Sequence, residues 1–189
     1  LIMNEMGDLF TWGRGTNGRL CNGETTAVSQ PTTTSISGVL RVYLGGAHTI
    51  FKVGHRALMA CGSNLRGQLG SGSSGGDAST PVAVRLGSSQ EVAEASTLES
   101  DGGGDQISQS ADGPRILSAC AGRSHSAALT EEGELYTWGS NGDGELGQGD
   151  YTDRSSPTLV LYPYGTNPPS SSAASARYER IACGNRATI

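Results

Sequence analysis

The chain repeats itself, and the repeat limits the folds open to it. Three glycines, Gly13, Gly62 and Gly139, each close a short apolar stretch, and the residues after them fall on one spacing. Five positions on stand Gly18, Gly67 and Gly144; seven on, Leu20, Leu69 and Leu146; ten on, Gly23, Gly72 and Gly149. A proline follows at 18, 19 and 18 positions, as Pro31, Pro81 and Pro157. Directly before the glycine stand Trp12, Cys61 and Trp138, and three residues before those Leu9, Leu58 and Leu135. Such self-similarity marks units that bury their apolar faces only by stacking on copies of themselves.

A second element lies 17 residues ahead of the aligned glycine: Gly45-x-x-His48-Thr49 in one copy and Gly122-x-x-His125-Ser126 in the next. A further copy opens in IACGNRATI, with Gly184 aligned and Ala187 in the histidine's place. At the other end, LIMNEMGDLFTW matches AALTEEGELYTW, with Gly7 on Gly133. The chain therefore holds two nearly whole repeats, most of another before them, and the opening strand of one more. Both ends fall inside a repeat, so the expectation is a fragment of a longer protein.

Composition agrees with short strands and tight turns. Glycine makes up 29 of 189 residues and aromatics only 5%, a profile that suits strands and turns better than helices. Gly-x-Gly-x-x-Gly, the outline of a nucleotide loop, occurs at Gly13-Gly15-Gly18, Gly70-Gly72-Gly75 and Gly142-Gly144-Gly147. These matches sit at different offsets in the repeat, and a dinucleotide site needs a helix after the loop. After Gly144 comes ELGQGDYTDRSSPT, too rich in turn formers for a helix. The glycines are expected to turn the chain, not to cradle phosphate.

Hairpins are predicted at Ser124–Leu129 with Glu134–Trp138 around Gly133, and at Ala47–Val53 with Arg56–Cys61 around Gly54. Arg115–Ala119 and Arg177–Ala182 lead into the Gly-x-x-His element, while Val82–Leu86 and Thr158–Leu161 follow the proline. About four short strands per repeat is the content of one propeller blade.

Net charge is −5, but Glu91, Glu94, Glu99, Asp101, Asp105 and Asp112 crowd between Gly87 and Pro114 without a Lys or Arg. Setting those six aside leaves 12 acids against 13 bases, with none of the basic surplus of a nucleic-acid binder. The four cysteines, Cys21, Cys61, Cys120 and Cys183, form no C-x-x-C, which predicts free buried thiols and neither a disulfide framework nor a zinc site. No signal peptide, membrane-length apolar run or Asn-x-Ser/Thr sequon is present. An intracellular protein, cytoplasmic or nuclear, is expected.

No residue set announces chemistry. His48 and His125 share a repeat position, as a ring of metal ligands would, but zinc needs three or four convergent ligands and the next copy has Ala187. Each is expected to bond backbone within its own blade. Trp12 and Trp138 read as packing between blades, since Cys61 fills the same position. Asp143, Glu145 and Asp150 lack the spacing of a calcium loop and read as solvated turn residues. Ser124, His125 and Ser126 alternate across a strand and form no nucleophile–base pair.

Gly-x-x-His-Ser/Thr, a hairpin, Leu-Tyr-Thr-Trp-Gly-x-Asn-x-x-Gly-x-Leu-Gly-x-Gly and Pro-x-x-Val together resemble the regulator of chromosome condensation repeat. The match is fullest over Ile116–Val160, good over Val42–Val84 and partial over Gly7–Thr34, where Cys21 replaces a glycine. The resemblance implies a seven-bladed β-propeller. This chain is then all-β, about three blades of short antiparallel four-stranded sheets, too few to close a ring. The expected layout is a partial repeat at 1–38, a repeat at 39–86, an acidic Ser/Gly-rich insertion at 87–114, a repeat at 115–161, a Pro/Ser-rich insertion at 162–176 and the start of a further repeat at 177–189. The insertions are expected to be mobile surface loops.

What the resemblance implies for function is a rigid disc whose loops bind protein partners; the residues themselves suggest no catalytic constellation, metal or cofactor, and no nucleic-acid or membrane contact is evident in this chain. Two alternatives come with the family: part of a guanine-nucleotide exchange factor for a small GTPase, or the accessory propeller of a larger enzyme such as a ubiquitin ligase. The family's plant ultraviolet-receptor branch depends on clustered tryptophans, and this chain has two.

Overall fold

A computed structural model describes residues 1–5, 8–87, 113–161 and 178–189. Eleven strands, all paired antiparallel, make three sheets among these residues. The first contains β1 (Ile2–Met3), β2 (Leu9–Gly13) and β3 (Val28–Thr33). The second runs β4 (Val39–Leu44), β5 (His48–Val53), β6 (Ala57–Gly62) and β7 (Ala78–Ala83). The third repeats it as β8 (Ile116–Ala121), β9 (His125–Thr130), β10 (Leu135–Gly139) and β11 (Arg154–Leu159). Each sheet is ordered as in sequence, an up-and-down meander that is one propeller blade. Among the described residues there is no α-helix, only a 3-10 turn at Thr16–Gly18.

The aligned glycine has a mechanical reason. The register shifts at one repeat position in all three sheets, between Thr11 and Gly13, Ala60 and Gly62, and Thr137 and Gly139. There φ is +103°, +109° and +102°, a region L side chains rarely enter. A Cβ on Gly139 would lie 2.6 Å from the Ser124 carbonyl oxygen and 2.7 Å from the His125 Cα. The residue must be glycine for the third strand to bulge and still lie against the second.

The repeat prolines sit inside strands: Pro31 in β3, Pro81 in β7 and Pro157 in β11. The expected strands at Val82–Leu86 and Thr158–Leu161 are therefore placed too late. Each of these strands is the edge of its sheet, and an edge strand needs amide donors on one side only, so it tolerates proline. The strand expected at Arg177–Ala182 is absent over its described part. The chain there pairs with its own tail, with Ala182 and Ile189 exchanging backbone bonds of 2.6 and 2.8 Å and a lone bridge between Cys183 and Thr188. Most of 87–114, all of 162–176, Arg177 and the Gly7 match lie outside the described residues.

Both faces of the middle sheet are covered. Side chains alternate along a strand, so β5 sends Phe51 to one side and Ile50 to the other. Phe51, with Met59 and Cys61, packs on Leu9 and Cys21 of the first blade. Ile50, with Leu58 and Ala60, packs on Ile116, Ala128 and Trp138 of the third. Lys52, also on the Ile50 side, donates its Nζ proton to the Ile116 carbonyl. The core is thus made between blades, not within them.

Candidate interaction surface

The blades are fastened by bonds that recur from one interface to the next. The residue six positions after the aligned glycine, Arg19 in the first blade and Gln68 in the second, offers its backbone carbonyl to the next blade. Arg19 accepts from the Thr49 hydroxyl at 3.0 Å, and Gln68 from the Ser126 hydroxyl at 2.8 Å and the Trp138 indole N–H at 2.9 Å. Gly23 and Gly72 donate their amide protons to Ser79 and Ser155, each at 3.0 Å. Gly18 and Gly67 have positive φ and lie so close to the next blade's edge strand that a Cβ would strike Ser79 and Ser155.

Within each loop an asparagine holds the turn. The Asn64 side chain accepts from Leu69 N–H at 3.2 Å and donates to the Ser73 carbonyl at 3.0 Å. Asn141 does the same with Leu146 N–H at 3.0 Å and the Asp150 carbonyl at 2.9 Å. This accounts for the buried Leu69 and Leu146, and for the way these glycine-rich loops turn. No helix follows any Gly-x-Gly-x-x-Gly run among the described residues.

His48 acts across the blade boundary, which corrects the expectation that it bonds backbone in its own blade, and among the described residues the buried His125 ring makes no such bond within its blade either. His48 Nε2 meets Ser126 Oγ of the next blade at 2.9 Å. Gly45 and Gly122 leave room for the imidazoles, since a Cβ on Gly45 would come 2.8 Å from His48 Nδ1 and one on Gly122 2.6 Å from His125 Nδ1. Burial, and secondarily the charge of His125, lowers the His48 pKa to about 4. Burial also lowers that of His125, against the pull of the Glu145 carboxylate and the Ala187 backbone. Sequence reasoning missed the His48–Ser126 pair because its partners lie 78 residues apart. The signal was the shared His-Ser/Thr step in successive repeats. The pair is sealed from solvent and Ser126 donates its proton to a carbonyl, so it is a rivet and has no reach to a substrate.

Two further expectations are corrected. Glu145 is only 8% exposed; its carboxylate accepts from Asp143 N–H at 2.9 Å and the Ser140 hydroxyl at 3.3 Å. It is a buried turn brace, whereas Asp143 pairs with Arg186 at 3.1 Å and Asp150 with Arg154 at 2.6 Å. Second, no described cysteine is free. Cys21 pairs with Cys61 and Cys120 with Cys183, with Cα separations of 5.7 and 5.5 Å. Reading each cysteine singly hid the fact that stacking brings residues of successive blades together. Among the described residues no three His, Cys, Asp or Glu side chains gather as a metal site, and no helix is long and apolar enough to cross a membrane.

What the stacked blades present is their loops. Every β4–β5, β6–β7, β8–β9 and β10–β11 connection turns at the same end of the sheets, as the antiparallel order requires. That end exposes Arg14, Arg66 and Arg123 beside Leu65, 69% exposed, and Tyr151, 76% exposed. Aromatic, leucine and arginine side chains held on braced loops suit protein recognition. Trp12 is partly exposed in the first blade, whereas its counterpart Trp138 is fully buried.

Sequence and structure comparisons agree with this geometry. The family model described as regulator of chromosome condensation (RCC1) repeat matches residues 6–51 and 132–189, and a second model of the same repeat matches 116–145. The ultraviolet-B receptor UVR8 of Arabidopsis thaliana is 30% identical over 218 residues, covering 97% of this chain and 47% of the receptor. The human E3 ubiquitin-protein ligase HERC2 is 30% identical over 211 residues, covering 94% of this chain and 4% of the ligase. Among solved structures, yeast RCC1 (Prp20) bound to Kap60 superposes with a TM-score of 0.73 at 15% identity, over 98% of this chain and 38% of that one. Prp20p from Saccharomyces cerevisiae gives 0.68 at 15% identity, over 98% and 40%. At that identity the likeness is one of fold, and the chain spans less than half the length of each of these relatives.

Proposed function

The chain belongs to the regulator of chromosome condensation (RCC1) repeat family, and we propose that it is part of a propeller that binds protein partners through the glycine-rich loop end of its blades. The observation that carries this reading is the rigid loop end itself: Asn64 and Asn141 brace the loops that hold Leu65, Arg66 and Tyr151 out to solvent. The test places a photo-activated cross-linking residue at 65, 123 or 151 in the full-length protein, with positions 131 and 132 at the opposite end as controls. Partner cross-links from the loop end alone support the reading. Cross-links only from 131 and 132 overturn it.

The second reading is a guanine-nucleotide exchange factor for a small GTPase. Prp20p, whose fold this chain shares, was described with its binding properties to Gsp1p and histones. Release of a fluorescent guanine nucleotide from small GTPases by the full-length protein decides it. The likeness to HERC2 favours instead an accessory propeller, and that reading requires a catalytic domain elsewhere in the full reading frame. The location that goes with all three is intracellular, cytoplasmic or nuclear. There, disulfides are made and broken during function and are not permanent.

A further inference from the structure

We propose that Cys21 and Cys61 form a redox-controlled clasp between the first and second blades, standing where the next interface sets Gly70 against Trp138. The two interfaces can be laid over each other by the repeat. Cys21 and Gly70 both lie eight residues after the aligned glycine, and Cys61 and Trp138 both lie directly before it. At the later interface these positions touch: a Cβ on Gly70 would come 2.8 Å from Trp138 Nε1. At the earlier one both are cysteine, and their Cα atoms stand 5.7 Å apart, inside the range a disulfide spans.

The paired change has a steric logic. Replacing an indole by a thiol empties part of the interface, and the second cysteine, placed on the opposite wall, fills it. Its backbone was not made for it. Gly70 and Gly147 hold φ of +68° and +64°, and Cys21 keeps the same left-handed form at +58°. Among the described residues only Asn17 shares that conformation without being glycine, and asparagine tolerates it better than cysteine does. A cysteine retained in a glycine's conformation, opposite a cysteine in a tryptophan's place, points to the bond between them as its use.

Closing the clasp is a two-electron exchange with a low-molecular-weight disulfide such as oxidised glutathione. The Cys21 thiolate attacks one sulfur and releases one glutathione; the Cys61 thiolate then displaces the other, leaving the Cys21–Cys61 bond and two glutathione thiols. Both cysteines are fully buried in the stacked blades. A reagent therefore reaches them only when the first and second blades part, so the bond, once made, holds the arc shut.

The test uses the full-length protein with Cys120→Ser and Cys183→Ser, so that the other pair does not contribute. The protein is equilibrated across a series of reduced-to-oxidised glutathione ratios, alkylated in denaturant and digested without reductant. The expected result is a Cys21–Cys61 linked peptide that grows from absent to dominant across the series, with dithiothreitol lowering the unfolding temperature by several degrees. A second variant adds Cys21→Gly and Cys61→Trp, which writes the later interface into the earlier one; its unfolding temperature should ignore dithiothreitol. Alkylation of Cys21 and Cys61 as free thiols at every ratio overturns the proposal. So does an equal dithiothreitol shift in the Gly/Trp variant. The peptide measurement decides alone should that variant not fold.

Discussion

The Gln68 carbonyl is a single atom on which two blades depend, and it allows a quantitative test. It accepts from Ser126 Oγ at 2.8 Å and from Trp138 Nε1 at 2.9 Å, one bond for each lone pair. Trp138→Phe removes one donor but leaves the carbonyl satisfied by Ser126, so the polar loss is about 1 kcal/mol. Ser126→Ala removes the other donor and also strips His48 Nε2 of its partner at 2.9 Å, for about 2 kcal/mol. In the double variant the buried carbonyl has no donor. That adds a desolvation cost of about 1–2 kcal/mol, which neither single change exposes. The sum of singles is about 3 kcal/mol, and the double is expected at about 4–5 kcal/mol. The cavity left by the smaller Phe ring is common to the single and double variants, so it cancels in the cycle. Urea unfolding of the full-length protein and its three variants measures this, provided the slope m stays constant. Additivity within about 0.5 kcal/mol would refute the claim that the two bonds serve one acceptor.

Acid should loosen the same interface: the His48 pKa falls from 6.5 to about 4 on folding, so the unfolded chain binds the proton first. The stabilisation is whole above about pH 6.5 and is lost as pH falls toward 4, by up to about 3 kcal/mol. The urea midpoint measured across that window should drop, and His48→Gln, which keeps a donor for Ser126, should flatten the drop relative to the parent. Gly139→Ala should cost about 2–5 kcal/mol, from a positive φ and from overpacking against the Ser124 carbonyl; a thermal-unfolding loss below about 1 kcal/mol would contradict the tight approach of β9 to β10.

How much of this was legible in the sequence depends on the range of the interaction concerned. Features set within a repeat could be read, because their causes are local. Gly54 and Gly133 turn the β5–β6 and β9–β10 hairpins with φ of +59° and +84°, where the sequence places the two hairpin turns. The strand edges at Pro81 and Pro157 were misplaced because proline's exclusion from sheets relaxes at an edge, and which strand is the edge is a property of the whole blade. Glu145 resisted reading for a related reason. Its column across the repeats holds Arg19, Gln68 and Glu145, which looks like surface, yet the carboxylate is folded back onto Ser140 and Asp143.

The largest misreading, four free thiols, shows where the missing information lay. Cys21 and Cys61 are 40 residues apart and Cys120 and Cys183 are 63 apart, and nothing near any one of them marks it as half of a pair. A blade cannot bury both its faces alone, so its specific contacts are with the next copy of itself. The useful unit of sequence is therefore a pair of repeat columns in consecutive copies. His48 with Ser126, Arg19 with Thr49, Gln68 with Ser126 and Gly70 with Trp138 all follow that rule. On the same rule Cys21 in one column and Cys61 in its partner column are one contact, not two separate features. That pairing was written in the sequence, and only stacking the repeats face to face makes it visible.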